Sequence, residues 1–451
     1  MTKEIGAEGL RVAIGLPSAV LLVMGGIIGV GIFANPAIVA HTIHSSSLVL
    51  IAWSLGGAVA LLGAFVYAEL AARFPTTGGE YVYLRDTYGP LTGFLYAWTL
   101  LLVVQAGGMA AVSIVFAKNL NVLFNGSLSE PMVAVGVMTI LAVVNSIGAG
   151  YGNGAQTLLG AVRIAAIAAL IGAGLFLAPH VRPPAVPVEA TGTSWKDFGA
   201  AMIPVVFSYG GWQTAGFVAG EIRDPARNLV RALIIGVAGV IGLYLLINIA
   251  CLQALGVDAL GRTLTPTSDV LALTVGPASA KLAAAAIALS ALAFLSQSML
   301  TAPRVCFALA RDGLFFHWAA KVTEKGRAPM IAILLQATWT VILALSGRYD
   351  QILSYVVSMN FLFFAACASC LFTLRWRAGR RNAPSDDSGF RTPWHPLTTG
   401  LFIAACLTMV GCSFWAYPVN SLIGYAIMLI GLPLYFYWRR QGGAEISPEV
   451  S

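Results

Sequence analysis

The stretch GGIIGVGIF, Gly25 to Phe33, sits in an apolar run long enough to cross a membrane as a helix, yet it places glycine at 25, 26, 29 and 31. Each glycine disfavours a helix by roughly 1 kcal/mol relative to alanine, so together they weaken it by about 4 kcal/mol if the effects add. Inside a bilayer the backbone has no water to bond, and irregular structure is tolerated only where it lines a cavity or is buried in protein. A helix this weak therefore marks either very close packing of small residues, such as Gly25 and Gly29, or a site.

Composition sets the context. Of 451 residues, 58% are hydrophobic and only 10% are charged, and the mean hydropathy is +0.82; a soluble domain carries about 25% charged residues. The chain reads as an all-α polytopic membrane protein. Stretches near the ~20 residues needed to span a bilayer fall at about 13–39, 46–72, 92–117, 131–149, 155–178, 197–219, 230–255, 279–307, 329–346, 350–374, 396–416 and 419–438, which makes 12 transmembrane helices.

Lys and Arg concentrate on cytoplasmic loops. With the N-terminus inside, Lys3, Arg11, Arg73, Arg85, Arg223, Arg227, Arg231, Arg311, Lys321, Lys325, Arg327, Arg375, Arg377, Arg380, Arg381, Arg391, Arg439 and Arg440 all fall on the cytoplasmic side. The opposite side receives Lys118, Arg182, Lys196, Arg262, Lys281 and Arg348. The expectation is a multi-pass protein of the inner (cytoplasmic) membrane with both termini cytoplasmic. The net charge of +7 then reflects topology and contact with anionic membrane lipid; the scatter of basic residues over short loops argues against nucleic acid as a partner. The first apolar segment lacks the pattern of a cleaved leader and is expected to remain as a working helix.

The six cysteines, Cys251, Cys306, Cys367, Cys370, Cys406 and Cys412, lie in or beside apolar spans. Cys367 and Cys370 spell C-x-x-C with no second pair and no nearby histidine, so they read as packing residues, and no metal or other cofactor is expected. His41, His44, His180, His317 and His395 fall in loops or near span ends. That leaves no cluster of His, Asp, Glu or Ser for intramembrane catalysis, and no catalytic residue is assigned. A six-plus-six carrier would place a G-x-x-x-D-R-x-G-R-like loop after the second span, where this chain has ELAARFPTTGGEYVY. A channel would show a filter-like repeat. The aromatic and polar segments 74–90 and 311–329 suit short helices at the cytoplasmic interface.

A second weak point occurs five spans after the first: FSYGGWQTAG, Phe207 to Gly216, with Pro204 just before it. Gly-interrupted helices at corresponding positions of two halves point to a transporter site, because inverted repeats bring both breaks together at the membrane midplane.

These residues resemble the amino acid, polyamine and organocation transporter superfamily, nearest its L-type amino acid transporters and their bacterial relatives. GGIIGVGIFANP is similar to the family's first-helix pattern, and FSYGGWQTAGFVAGEIRDPARNLVRAL to its sixth helix and following loop; YAELAARFPTTGGEYVYL and APRVCFALARDG are weaker echoes. The resemblance implies a leucine-transporter-like fold, a 5+5 inverted repeat with discontinuous helices 1 and 6. The chain then divides into a cytoplasmic N-terminus (1–12), a first five-helix repeat (13–178), a second (197–374), a terminal pair (396–438) and a cytoplasmic tail (439–451).

An α-amino acid substrate follows from the same resemblance. Freed N–H groups at a helix start suit a carboxylate, and freed carbonyls suit an ammonium. By motif match the carboxylate lies at Gly29, Val30 and Gly31, and the ammonium at carbonyls of Ile27, Phe207, Ser208 and Gly210, with the Phe207 ring as an outer gate. Val30 departs from the serine usual there, which removes a hydroxyl contact but keeps the N–H. Gln105, Gly107 and Gly108 match the stretch facing the substrate side chain, and Gln213, Ser296 and Ser298 are polar residues on helices expected to line the cavity.

None of these is acidic, whereas a cation in the membrane interior calls for a carboxylate. Glu69, Glu80 and Glu221, at span ends or in loops, suit solvated or loop-anchoring roles. A neutral amino acid is the expected substrate. Arg163 lies well inside the fifth span, where the family often has a lysine in the place of sodium. Arginine stays charged where a lysine could titrate, so Arg163 is read as a mimic of the coupling ion, leaving sodium-independent exchange or facilitated diffusion as the simplest mode. The alternatives are proton-coupled amino acid symport, and cationic amino acid or polyamine exchange on the same fold. No cysteine falls in the outer loops to bind a second chain, so no accessory subunit is expected.

Overall fold

Helix α1 (Leu16–Ile27) starts with a proline in its first turn, where a fixed φ and a missing N–H cost nothing. It stops at the glycine-rich stretch, and after Ile28, Gly29 and Val30 the chain resumes as α2 (Gly31–Ile43), bent by 42° from the first. This geometry comes from a computed structural model that describes residues 12–147, 149–178, 194–263, 265–276, 279–322, 328–346, 349–380, 389–416 and 418–441.

The remaining elements are helical too. α3 (Ser46–Arg73) is capped by Ser45, and α4 (Glu80–Tyr88) follows a turn through Gly78 and Gly79. α5 (Pro90–Thr99) passes through a π-helical turn at Leu100–Val104 into α6 (Gln105–Leu123). Next come α7 (Glu130–Ile147) and α8 (Ala149–Gly172), the latter extended by a second π-helical turn, Ala173–Leu177. α9 (Trp195–Ser208) opens on a capping box between Ser194 and Asp197, which satisfies two otherwise unpaired N–H groups. It gives way to a 3-10 helix, Trp212–Glu221, and then to α10 (Pro225–Arg262). The chain continues through α11 (Pro266–Val275), α12 (Ser279–Thr301), α13 (Pro303–Arg311), a 3-10 turn at His317–Ala320, α14 (Met330–Ser346), α15 (Tyr349–Arg380), α16 (Leu397–Ala416) and α17 (Pro418–Gln441). Among the described residues the one extended pairing is a parallel bridge between Ile14 and Ile222.

Among the described residues eight helices are long and apolar enough to cross a bilayer, nine if the bent pair α1–α2 counts as one span, and Glu130–Ser146 and Met330–Leu345 are apolar but shorter. Met132, Ile140, Phe176, Leu401 and Leu422 stay exposed, as lipid-facing side chains do in a polytopic membrane protein. Inside, α10 packs on α3, α1 and α2, while α12 lies against α6 and α8. The six cysteines are free, and all but Cys412 are buried.

Segment 74–90 does contain a helix, α4, but one tucked into the protein: Glu80, Tyr81, Val82, Tyr83, Leu84 and Thr87 are buried. In segment 311–329 the helical part is the short turn His317–Ala320, and residues 323–327 lie outside the described residues. So do Lys3, Arg11, Arg182, Arg348 and Arg381, His180, and most of the two expected cytoplasmic ends.

Candidate functional site

The two breaks cross in direct contact. A Cβ on Gly26 would stand 2.4 Å from the Gly211 carbonyl oxygen, and one on Gly211 only 2.0 Å from that of Gly26. Gly211 also has φ +106°, a conformation that side chains disfavour. Its N–H donates to Gln213 Oε1 at 3.0 Å, and its carbonyl accepts the Thr214 hydroxyl at 2.7 Å. Asn35 ties α2 to α9, donating to Ser208 Oγ at 2.7 Å and to the Pro204 carbonyl at 3.1 Å. Both glycine clusters thus serve close approach and unwinding together.

Unwinding leaves backbone groups to be satisfied. On the donor side, among the described residues no acceptor meets the N–H groups of Gly29, Val30 or Gly31. On the acceptor side the protein supplies its own donors. Arg163 Nη1 reaches the carbonyls of Ile28 at 2.6 Å and Gly25 at 3.2 Å. The Tyr244 hydroxyl lies 3.2 Å from the carbonyls of both Ile27 and Ser208, bridging the first break to the second. Ser290 donates to Gly29, and the Gly210 N–H to Phe207. A carbonyl has a second lone pair, so those of Ile27, Phe207 and Ser208 can still accept.

Between the breaks lies a cavity of about 110 Å³, several times the ~10–15 Å³ that one water needs. Its wall includes most of the residues expected to face substrate: Ile27, Gly29, Val30, Gly31, Gln105, Gly108, Phe207, Ser208, Gly210, Gln213 and Ser298. Gly107 and Ser296 do not reach it. Sequence reasoning missed Asn360 and Phe361 on α15, Phe294 and Gln297 on α12, Tyr244 on α10, and Thr214. No carboxylate, lysine or arginine lines the cavity among the described residues. Arg163 stands behind α1, fully buried, with its guanidinium on the backbone rather than in the cavity.

The carboxylates at span ends are not solvated. Glu69 and Glu221 are 0% exposed and Glu80 is 1% exposed, which corrects the surface half of that expectation and keeps the anchoring half. Glu69 accepts from Arg73 at 2.9 Å, Arg375 at 2.7 Å and the Thr392 N–H at 2.8 Å. Glu221 pairs with buried Arg304 at 2.7 Å, and its carbonyl receives the N–H groups of Ala13 and Ile14. Among the described residues Glu80 has no cation: the Tyr67 and Tyr96 hydroxyls donate to its two oxygens, each at 2.5 Å. A buried charge needs a partner. Two of these three anchors have an arginine, and the third has phenols.

An all-helical membrane protein that closes a small uncharged cavity around two broken helices is built as a carrier of small molecules. Comparison with known proteins gives that class its family: residues 14–436 match the amino acid permease family, and the chain belongs to it. It is 31% identical to the serine/threonine exchanger SteT of Bacillus subtilis, over 96% of this chain and 98% of that one. It is 29% identical to the human large neutral amino acids transporter small subunit 2 (97% of this chain, 82% of the relative) and 28% identical to the human Asc-type amino acid transporter 1 (95% and 83%). The family is one of permeases, not enzymes.

Proposed function

We propose that this protein exchanges neutral α-amino acids across the cytoplasmic membrane by alternating access, without sodium. The observation that carries this reading is the cavity at the crossing of the two breaks, with unpaired N–H groups of Gly29, Val30 and Gly31 in one wall and carbonyls of Ile27, Phe207 and Ser208 nearby. The first group suits a carboxylate, and the second an ammonium. Gln105, Gly108, Gly210, Gln213 and Ser298 complete the pocket, with the Phe207 ring as its outer gate. The absence of a lining carboxylate supports a neutral side chain over a cationic one, and the names of the relatives, which include exchangers and neutral amino acid transporters, point the same way.

In this reading 12 spans form two inverted repeats, 13–178 and 197–374, followed by 396–438, with the ends 1–12 and 439–451 cytoplasmic. Sodium is dispensable because Arg163 already occupies the carbonyls of Gly25 and Ile28. The carrier works without an accessory subunit, since its cysteines sit in helices rather than outer loops. Val30 lines this cavity with an apolar side chain, so that only its N–H is offered to the carboxylate.

Ligand-induced thermal stabilisation of the purified protein tests the recognition. Anything that binds only the folded state raises the melting temperature, so neutral L-α-amino acids are expected to do so. Their methyl esters and α-deaminated analogues, each lacking one end of the zwitterion, are expected to have no effect. Equal stabilisation by the esters would overturn the assignment of the Gly29–Gly31 N–H groups.

A further inference from the structure

Glu80 stands apart from the other buried carboxylates. The titratable groups that act on it are Tyr67 on α3, Tyr96 on α5, Cys367 on α15, and the nearby Tyr83 on its own helix; no arginine, lysine or histidine is among them. Burial pushes its carboxyl up from 4.5 to about 7, against the opposing pull of the phenol and thiol hydrogen bonds. Such a group changes charge near neutrality.

The two charge states need different partners. An ionised carboxylate only accepts, and both phenols donate to it. A protonated carboxyl must itself donate, and the acceptors at hand are a phenol oxygen or the Cys367 sulfur. Protonation therefore forces one of these three donors, a phenol or the Cys367 thiol, to turn its hydrogen away or release the contact.

That rearrangement adjoins the second break. The Tyr67 ring stacks edge-on against Trp212, centroids 4.6 Å apart, and Trp212 opens the 3-10 helix that continues from Gly211. Gly79, the residue before Glu80, packs so tightly on that helix that a Cβ would meet Phe217 at 2.9 Å, and the Gly78 N–H donates to the Phe217 carbonyl at 3.2 Å. Trp212 in turn stacks on Phe364 of α15, 5.3 Å away. One carboxyl thus sits where α3, α4, α5, α15 and the 3-10 half of a broken helix meet.

We propose that Glu80 is a proton-binding residue of the transport cycle, taking its proton from water and returning it there, and that through Tyr67 and Trp212 its charge state governs movement of the 3-10 half of the sixth span. Glu80 touches no substrate; it is a positioning residue, and the inference rests on the exchange reading above. Two measurements on the full-length protein separate the readings. Infrared difference spectroscopy of the purified carrier follows a carboxyl C=O band without transport, and amino acid exchange in proteoliposomes is followed over the same range, about pH 5 to 9.

In the wild type the band is expected to titrate near pH 7 and to vanish in Glu80→Gln. The exchange rate is expected to change by at least about twofold with the same midpoint, and Glu80→Gln to hold it flat at the acid-side value. Tyr96→Phe removes a donor that favours the ionised form, so both midpoints are expected to move to higher pH; this variant carries the test if Glu80→Gln does not fold. A Glu80→Gln exchange profile identical to the wild type, or an unmoved midpoint in Tyr96→Phe, overturns the proposal. A titrating Glu80 band in a protein that exchanges no amino acid at any pH would instead overturn the exchange reading and leave the proton site standing.

Discussion

Gly26→Ala probes the crossing of the two breaks with a single methyl group. Gly26 is helical, so alanine adds no backbone strain and by propensity alone gains about 1 kcal/mol. The new Cβ would lie 2.4 Å from the Gly211 carbonyl oxygen and 2.8 Å from Thr214 Oγ1, inside the 3.0 Å that real Cβ contacts respect. The Gly211 oxygen belongs to the backbone and cannot rotate away, so the breaks must separate by at least half an ångström or so. Overpacking of this kind costs typically 1–3 kcal/mol, so the net loss is on the order of 0–2 kcal/mol, read as a fall of at most a few degrees in melting temperature. Exchange is expected to fall much further, because the cavity walls are displaced directly. Gly108→Ala is the control: a Cβ there meets nothing within 4 Å, so folding is preserved while the methyl narrows the cavity and raises KM for larger side chains. Wild-type stability and exchange in Gly26→Ala would refute the close crossing on which the site is built.

Glu221→Gln leaves the Arg304 guanidinium buried without its countercharge, which typically costs 3–5 kcal/mol; loss of folded protein in size-exclusion and thermal assays is expected, whereas a neutral result would contradict the pair. Arg163→Ala strips the donor from the Ile28 and Gly25 carbonyls, at about 1–3 kcal/mol for each group left unpaired, and should abolish exchange. Arg163→Lys keeps the charge and N–H donors on a shorter reach and should retain part of it; equal activity in both variants would remove any role for the guanidinium. Glu80 binds its proton more tightly folded than unfolded, so the folded state holds extra protons between pH 4.5 and about 7. Stability should therefore fall as pH rises through that window, by at most ~3 kcal/mol, and Glu80→Gln should lose this slope; thermal melts at stepped pH check it.

Glycine made the breaks readable. Gly25, Gly26, Gly29 and Gly31, and later Gly210 and Gly211, oppose a helix by propensity in a place where a helix is required, and the structure interrupts both. Asn360, Phe294 and Tyr244 carried no such signal. Each is a side chain of ordinary type on an apolar helix, and only packing decides that it faces the cavity rather than a neighbour. The π-helical turn Leu100–Val104, which precedes Gln105, was equally hidden, since a one-residue widening leaves no mark on composition. Helix α4 was readable as a segment but not in its depth: its Glu80 and Thr87 look like surface residues until α3, α5 and α15 close over them. Glu69 and Glu221 misled for the same reason: Arg73 stands one turn from Glu69, but Arg375 and Arg304, which close over the two carboxylates, lie far away in sequence.

Counterflow of radiolabelled amino acids into proteoliposomes, with and without unlabelled amino acid inside, tests the central claim most directly. Uptake of neutral α-amino acids is expected only against internal substrate, indifferent to an imposed sodium gradient. Failure of every α-amino acid to accumulate, or accumulation driven by sodium, would contradict it.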